Sequence, residues 1–170
     1  MMPGGHLATA IGLSGIGYAV SGSPAAAAGC FAGGFLIDVD HYLDYIVFEK
    51  QWRRPGPLSF LRYYFTYSPR KLVLPLHSIE LMTLIKVGIL LYPSPFVTGY
   101  WLGAAMHMAF DVLINGDNAL KRPFLFYFFT YRVSQRFAAE NLLEVTVSRE
   151  AGKRPIREFF RWRPLKDSKS

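Results

Sequence analysis

Apolar residues occur in four long runs, which are separated by turns and by segments rich in polar and aromatic residues. The runs cover residues 7–21, 24–40, 72–91 and 96–114. Their length and apolar character predict four helices. Short turns with Ser and Pro join the helices in pairs, and proline is favoured in the first turn of a helix. The sequence therefore predicts an all-α protein made of two antiparallel helical hairpins.

The cations are segregated from these runs. Of the nineteen Lys and Arg residues, only Lys86 lies inside a run; the others lie between residues 38 and 71 or after residue 114. If all four helices cross a bilayer, the positive-inside rule places both termini in the cytoplasm. We therefore expect an integral bundle in the bacterial cytoplasmic (inner) membrane, with residues 132–170 as a basic cytoplasmic appendage. The first two runs are short for a crossing, which leaves a shallow re-entrant hairpin as an alternative.

The net charge of +7 would also suit a soluble or peripheral protein that binds nucleic acid. The segregation of the charge favours a lipid bilayer, with anionic lipid or a phosphoester substrate as partner and no nucleic acid. The single cysteine, Cys30, lies inside an apolar run and cannot form an intramolecular disulfide.

The chain contains signs of an internal repeat. His6 precedes Asp40 by 34 residues, and His77 precedes Asp111 by the same number. Residues 60–67 and 124–131 are identical at six of eight positions. Two hairpin repeats, at about 6–67 and 77–131 within a membrane domain of residues 1–131, would produce this pattern if an axis along the membrane normal related them. Coincidence in an aromatic-rich chain is the alternative.

Ionisable side chains gather at one end of every run. Such residues are costly in a membrane and indicate a functional site. The residues are His6, Asp38, Asp40, His41, His77, Glu80, His107 and Asp111. Because their donors are nitrogen and oxygen without a thiolate, we expect a divalent metal: zinc first, with manganese or iron as alternatives and a dinuclear site possible in principle.

The spacing of these residues suggests their roles. His107 and Asp111 share a helical face and could chelate one ion, or could form only a hydrogen bond. Asp38 and Asp40 do not share a face, so both can converge only if the helix ends or unwinds there. The expected ligands are His6, Asp40, His41, His77, His107 and Asp111. Asp38 or Glu80 is the expected catalytic base, although Glu80 could instead pair with Lys86.

The ordered set of an N-terminal His, Asp-x-Asp-His, His-Ser and His-x-x-x-Asp resembles the bacterial family of membrane-bound, predicted metal-dependent hydrolases. That family is distantly similar to zinc-dependent phospholipase C, an all-α enzyme. The resemblance covers roughly residues 1–117 and implies metal-site positions at the residues His6, Asp38, Asp40, His41, His77, His107 and Asp111. One departure is that residues 72–76 are apolar, where the family commonly has a His-Arg pair.

The resemblance implies hydrolysis of a phosphoester or similar bond at the cytoplasmic leaflet. A non-catalytic membrane protein, in which the His/Asp cluster holds the hairpins together, is the alternative function. The sequence contains no His-Glu-x-x-His, P-loop, Gly-x-Ser-x-Gly or dinucleotide-binding motif.

Overall fold

The computed structural model describes residues 3–66, 69–115, 120–144 and 155–160, and over these ranges the chain is mostly helical and contains no strand. The all-α prediction is therefore confirmed. The helices are α1 (Pro3–Ser21), α2 (Pro24–Gly34), α3 (Val39–Val47), α4 (Pro57–Thr66), α5 (Ile79–Leu91), α6 (Pro95–Phe110), α7 (Pro123–Phe126), α8 (Phe129–Ser134), α9 (Ala139–Leu142) and α10 (Pro155–Phe159).

Serine side chains set the start of three of the four principal helices. Ser23 accepts a hydrogen bond from the N–H of Ala26 at the start of α2, and Ser94 accepts one from Val97 at the start of α6. Proline follows each of these two serines, in the first helical position. Ser78 caps α5 in the same manner, so the third helix begins at Ile79 rather than near residue 72.

The chain leaves α-helical geometry where the second and fourth runs reach their acidic residues. α2 ends at Gly34 and is followed by a 3₁₀ turn, Leu36–Asp38, before α3 begins. α6 passes into a π-helical turn, Asp111–Asn115. π-Helical turns are rare and occur frequently at functional sites. The second helix therefore ends at Gly34 rather than at the predicted residue 40, and the chain does unwind before Asp40, which was the condition for Asp38 and Asp40 to converge.

α2 and α6 pack backbone against backbone through glycines. A Cβ on Gly29 would clash with the carbonyl of Phe96, and one on Gly33 with that of Tyr100. The contacts are reciprocal, because Gly99 and Gly103 on α6 meet the carbonyls of Ala26 and Cys30 on α2 in the same way. Both helices therefore carry a Gly-x-x-x-Gly pattern, which lets two helix backbones approach closely.

The outward faces of the hairpins are apolar. Exposed side chains include Ile16 and Val20 on α1 and Leu84 and Leu90 on α5. In the part of the chain that the structure describes, one helical stretch, Pro95–Ile114, is long and apolar enough to cross a membrane. The expected bundle of four membrane-crossing helices is not confirmed.

A second layer of short helices lies against the start of α5. Tyr127 and Leu142 are buried there, and the chain from Lys71 pairs with Ala138 through an isolated β-bridge. The segment from Arg132 to Leu143 thus contributes to the hydrophobic core, although it was expected to belong to an appendage. Two predicted features lie partly outside the described residues: the first aromatic segment, at residue 67, and the expected basic appendage, at residues 145–154 and 161–170.

Candidate metal centre

The ends of α1, α2, α5 and α6 bring most of the predicted polar residues together. The four histidines of the chain and three of the aspartates form one connected cluster of imidazoles and carboxylates. Its members are His6, Asp38, Asp40, His41, His77, His107 and Asp111. Glu80 lies apart from it.

His77 is held by Asp40. Nδ1 of His77 lies 3.1 Å from both carboxylate oxygens of Asp40, and both residues are buried. A carboxylate only accepts hydrogen bonds here, so Nδ1 must carry the proton. Asp40 also accepts a hydrogen bond from the backbone N–H of Leu76, which fixes its own position. Asp40 therefore lies behind the imidazole, on the side away from the cluster centre.

His107 is held in a similar way by the backbone. Its Nδ1 donates a hydrogen bond to the carbonyl of Gly34 at 3.0 Å, where α2 ends. The Nε2 atoms of His107 and His77 face each other at 3.2 Å. Because both imidazoles carry a proton on Nδ1, these two Nε2 atoms present lone pairs to each other unless one is also protonated.

Carboxylates crowd the same point. Nε2 of His107 lies 3.4 Å from Oδ1 of Asp38 and 3.3 Å from Oδ2 of Asp111. His6 binds the other oxygen of Asp111 through Nε2 at 3.0 Å, and its ring stacks on that of His107. The Nδ1 atom of His6 is buried and has no hydrogen-bond partner among the described residues.

The pairing crosses between the two halves of the chain. His6 of the first hairpin pairs with Asp111 of the second, while His77 of the second pairs with Asp40 of the first. These are the residues whose equal spacing suggested a repeat. The two pairs differ in the nitrogen that meets the carboxylate, which is Nε2 in His6 and Nδ1 in His77.

The cluster opens to the surroundings at Asp38 and His41. Their side chains are 28% and 18% exposed, whereas those of His77 and His107 are almost fully buried. Donor atoms form two sets, each close enough to hold one metal ion: His6 with His107 and Asp111, and Asp38 with His41 and His77. Asp38 lies at the boundary between the sets, since Oδ1 is also near Nε2 of His107.

Glu80 contacts the second layer of helices. Its carboxylate accepts hydrogen bonds from the backbone N–H groups of Phe129 and Thr130, and from the hydroxyl of Thr130. It thus caps the start of α8, where negative charge is favourable. Lys86, its alternative partner, places its ammonium over the ring of Trp101.

Two residues that the sequence analysis did not select support the cluster. Arg132 is fully buried and donates to the carbonyls of Leu74, His77 and Phe126. Burial lowers the pKa of Arg132 to about 10, so the guanidinium is still charged at neutral pH. Tyr64 places its ring edge against His41 at the opening. The repeated aromatic segment was the available signal for Tyr64; a lone arginine in a basic region gave none.

The donor set fits a first-row divalent cation. Imidazole nitrogens and carboxylate oxygens are the ligands such ions prefer, and a ligating histidine normally donates its other N–H to a carboxylate or carbonyl. Both features are present at His77 and His107. The possible metal-binding groups expected from the sequence therefore exist, while the identity of the metal is not established by geometry.

No protein-family model, no curated protein and no solved structure matches this chain.

Proposed function

We propose that this protein binds one or two divalent metal ions, zinc in the first instance, at the His/Asp cluster. One observation carries the proposal: two buried Nε2 atoms face each other at 3.2 Å while their Nδ1 atoms are committed to Asp40 and to Gly34. Two lone pairs and two carboxylates around one point repel one another unless a metal ion or a proton lies between them, and a metal ion would satisfy all four groups at once. His6 and Asp111 would complete the ligand set.

We further propose hydrolysis of a phosphoester or similar bond, as the resemblance to membrane-bound metal-dependent hydrolases implies. A divalent cation held by these residues would supply Lewis acidity, which lowers the pKa of bound water and polarises a phosphoryl oxygen. Asp38 is the best-placed base, because it is the most exposed carboxylate of the cluster and borders the opening. Asp40 keeps His77 in the ligating tautomer. We assign no chemical step to Glu80, whose oxygens are occupied by α8.

We propose that the hairpins lie in the bacterial inner membrane, with the cluster towards the cytoplasm. The apolar outward faces of α1 and α5 support insertion, since soluble monomers rarely expose large contiguous apolar patches. The segregation of Lys and Arg supports the orientation. The shortness of α2 and α5 is consistent with a hairpin that enters the bilayer without fully crossing it.

The test of hydrolysis is turnover by protein purified in detergent and assayed in mixed micelles with phosphodiester and phosphomonoester lipids. We expect metal-dependent turnover by the wild type, none by His107→Ala, and metal retention with little turnover by Asp38→Asn. Equal turnover by the wild type and by His107→Ala would contradict the proposal.

A second candidate function is a structural cluster without catalysis, favoured by the crossed His–Asp pairs that join the hairpins. In that case, a proton on His107 or a bound metal holds the helices together. Where a bound metal holds them, its removal would unfold the protein, and in either case no phosphoester would turn over.

A further inference from the structure

α3 carries an apolar ridge on the side that faces away from the metal centre. Leu36 precedes the helix, and Val39, Leu43 and Val47 follow at intervals of three, four and four residues, which places them on one face. Their exposed fractions lie between 46% and 58%. The opposite face is anchored, because Tyr45 is buried there, and Asp40 and Asp44 are buried on the flank between the two faces. The ridge therefore points outward in a fixed orientation.

Cations follow the ridge directly. Phe48 and Trp52, which come next in the chain, are also exposed, and the guanidinium of Arg53 lies over the ring of Trp52 at 4.8 Å. Lys50 and Arg54 are exposed beside them. Glu49, the acid in this stretch, directs its carboxylate to the backbone N–H of Lys71. An apolar ridge that ends in aromatic and basic residues is typical of a helix lying in the headgroup layer.

We propose that α3 lies in the headgroup layer of an anionic phospholipid bilayer, with its ridge in the upper acyl chains and Lys50, Arg53 and Arg54 on lipid phosphates. This inference rests on the proposed membrane location and goes beyond it. The hairpins alone would leave the segment after Gly34 in water. With α3 inserted, the opening at Asp38 and His41 lies at the depth of the lipid phosphates.

The basic residues beside the ridge indicate what covers it. A second protein chain could cover an apolar ridge equally well, but it would have to offer acidic groups beside an apolar surface. An anionic bilayer offers both in the required order, with acyl chains next to phosphates. Each basic residue near such a surface adds electrostatic attraction to the anionic headgroups. The substrate class that follows is a phosphate-bearing membrane lipid rather than a water-soluble ester.

Spin-label accessibility of the full-length protein in vesicles tests the proposal. In a Cys30→Ala background, a nitroxide is attached at Leu43→Cys or, as a second ridge position, at Val47→Cys. Leu84→Cys on α5 reports the proposed hairpin insertion. Gly56→Cys is the polar control, since a Cβ at this exposed loop position meets only the hydroxyl of Ser59, at ordinary contact distance. Frequent collisions of the nitroxide with oxygen indicate that the label lies in lipid. Frequent collisions with a water-soluble nickel complex indicate that it lies in water.

We expect labels at positions 43, 47 and 84 to collide mainly with oxygen, and the label at 56 mainly with nickel. The lipid signature at 43 should strengthen when phosphatidylglycerol is added to phosphatidylcholine, and Arg53→Gln/Arg54→Gln should abolish that increase. If the labels at 43 and 47 are in water while the label at 84 is in lipid, α3 does not lie in the headgroup layer. The proposed membrane location of the hairpins would still stand. Position 84 in water would overturn the membrane location itself. A lipid signature at 43 that is independent of phosphatidylglycerol would overturn the anionic-lipid part.

Discussion

The affinity of the cluster for metal should depend on which nitrogen of the His77 imidazole carries the proton. Asp40 holds the proton of His77 on Nδ1 and leaves Nε2 free to bind. In Asp40→Asn, the amide can donate to Nδ1 and move the proton to Nε2, which blocks the ligand. We expect metal affinity to fall by about 10- to 100-fold, measured by competition with a chromophoric chelator.

Asp44→Asn is the matched control for this substitution. Asp44 lies one turn further along the same buried face of α3, but it accepts its hydrogen bond from the backbone N–H of Val73. Its replacement should leave metal affinity unchanged. Equal losses in the two variants would show that Asp40 acts through the fold of α3 and not through His77.

Arg132 provides a second prediction at this scale. In Arg132→Ala, the carbonyls of Leu74, His77 and Phe126 lose a buried donor. Each unsatisfied group costs about 1–3 kcal/mol, so we expect a loss of at least about 3 kcal/mol in the free energy of unfolding. Chemical denaturation in detergent measures it. Arg53→Ala, at an exposed position, should change it by less than about 0.5 kcal/mol.

Among the elements, α2 and α6 depend on glycine for their close approach. In Gly33→Ala, the new methyl group would meet the carbonyl of Tyr100, so the helices must separate. Because overpacking costs about 1–3 kcal/mol and here the obstacle is backbone, we expect destabilisation by about 3 kcal/mol or more. Thermal unfolding in detergent checks this.

Gly15→Ala on α1 is the control for helix propensity. A Cβ at this position meets no atom within 4 Å in the described structure, so the variant should be as stable as the wild type or more stable by roughly 0.5–1 kcal/mol. If Gly33→Ala were equally harmless, the close packing of α2 on α6 would be wrong.

α3 should also show a pH signature. Burial raises the pKa of the Asp44 carboxyl from 3.8 to about 6. A folded-state pKa above the unfolded value means that this group stabilises the fold below about pH 4 and that the stabilisation is lost as the pH rises through about 6. The melting temperature of Asp44→Asn minus that of the wild type should therefore increase as the pH is raised from about 4.5 to about 7.5. A difference that does not change with pH would contradict this burial.

The sequence predicted the presence of the helices better than the residues at which they begin and end. Apolar runs and Ser-Pro turns located the starts of α2 and α6, because capping is local. The start of α5 was misplaced, since residues 72–78 are held by distant partners such as the carbonyl of Phe137. The sequence also could not show that Asp40 lies behind the His77 imidazole, away from the other donor atoms. That position depends on the direction that α3 takes after Gly34. Equal spacing marked four residues as related positions, but it did not predict that His6 pairs with Asp111 and His77 with Asp40.

For the whole molecule, the two hairpins meet at one shared cluster to which each contributes histidine and carboxylate. Because no single helix holds a complete ligand set, metal binding and hairpin association must be coupled. We expect a strong chelator to lower the melting temperature of the wild type more than that of His107→Ala, in which the site is already incomplete. Equal shifts would indicate that the chelator acts elsewhere.

The metal content of the detergent-purified protein tests the central claim most directly. Elemental analysis should find at least one first-row divalent metal ion per chain in the wild type and in Asp44→Asn, and a loss of that metal in His107→Ala. A folded wild-type protein that stays metal-free after incubation with zinc, manganese and iron(II), or a metal content that His107→Ala leaves unchanged, would contradict the account.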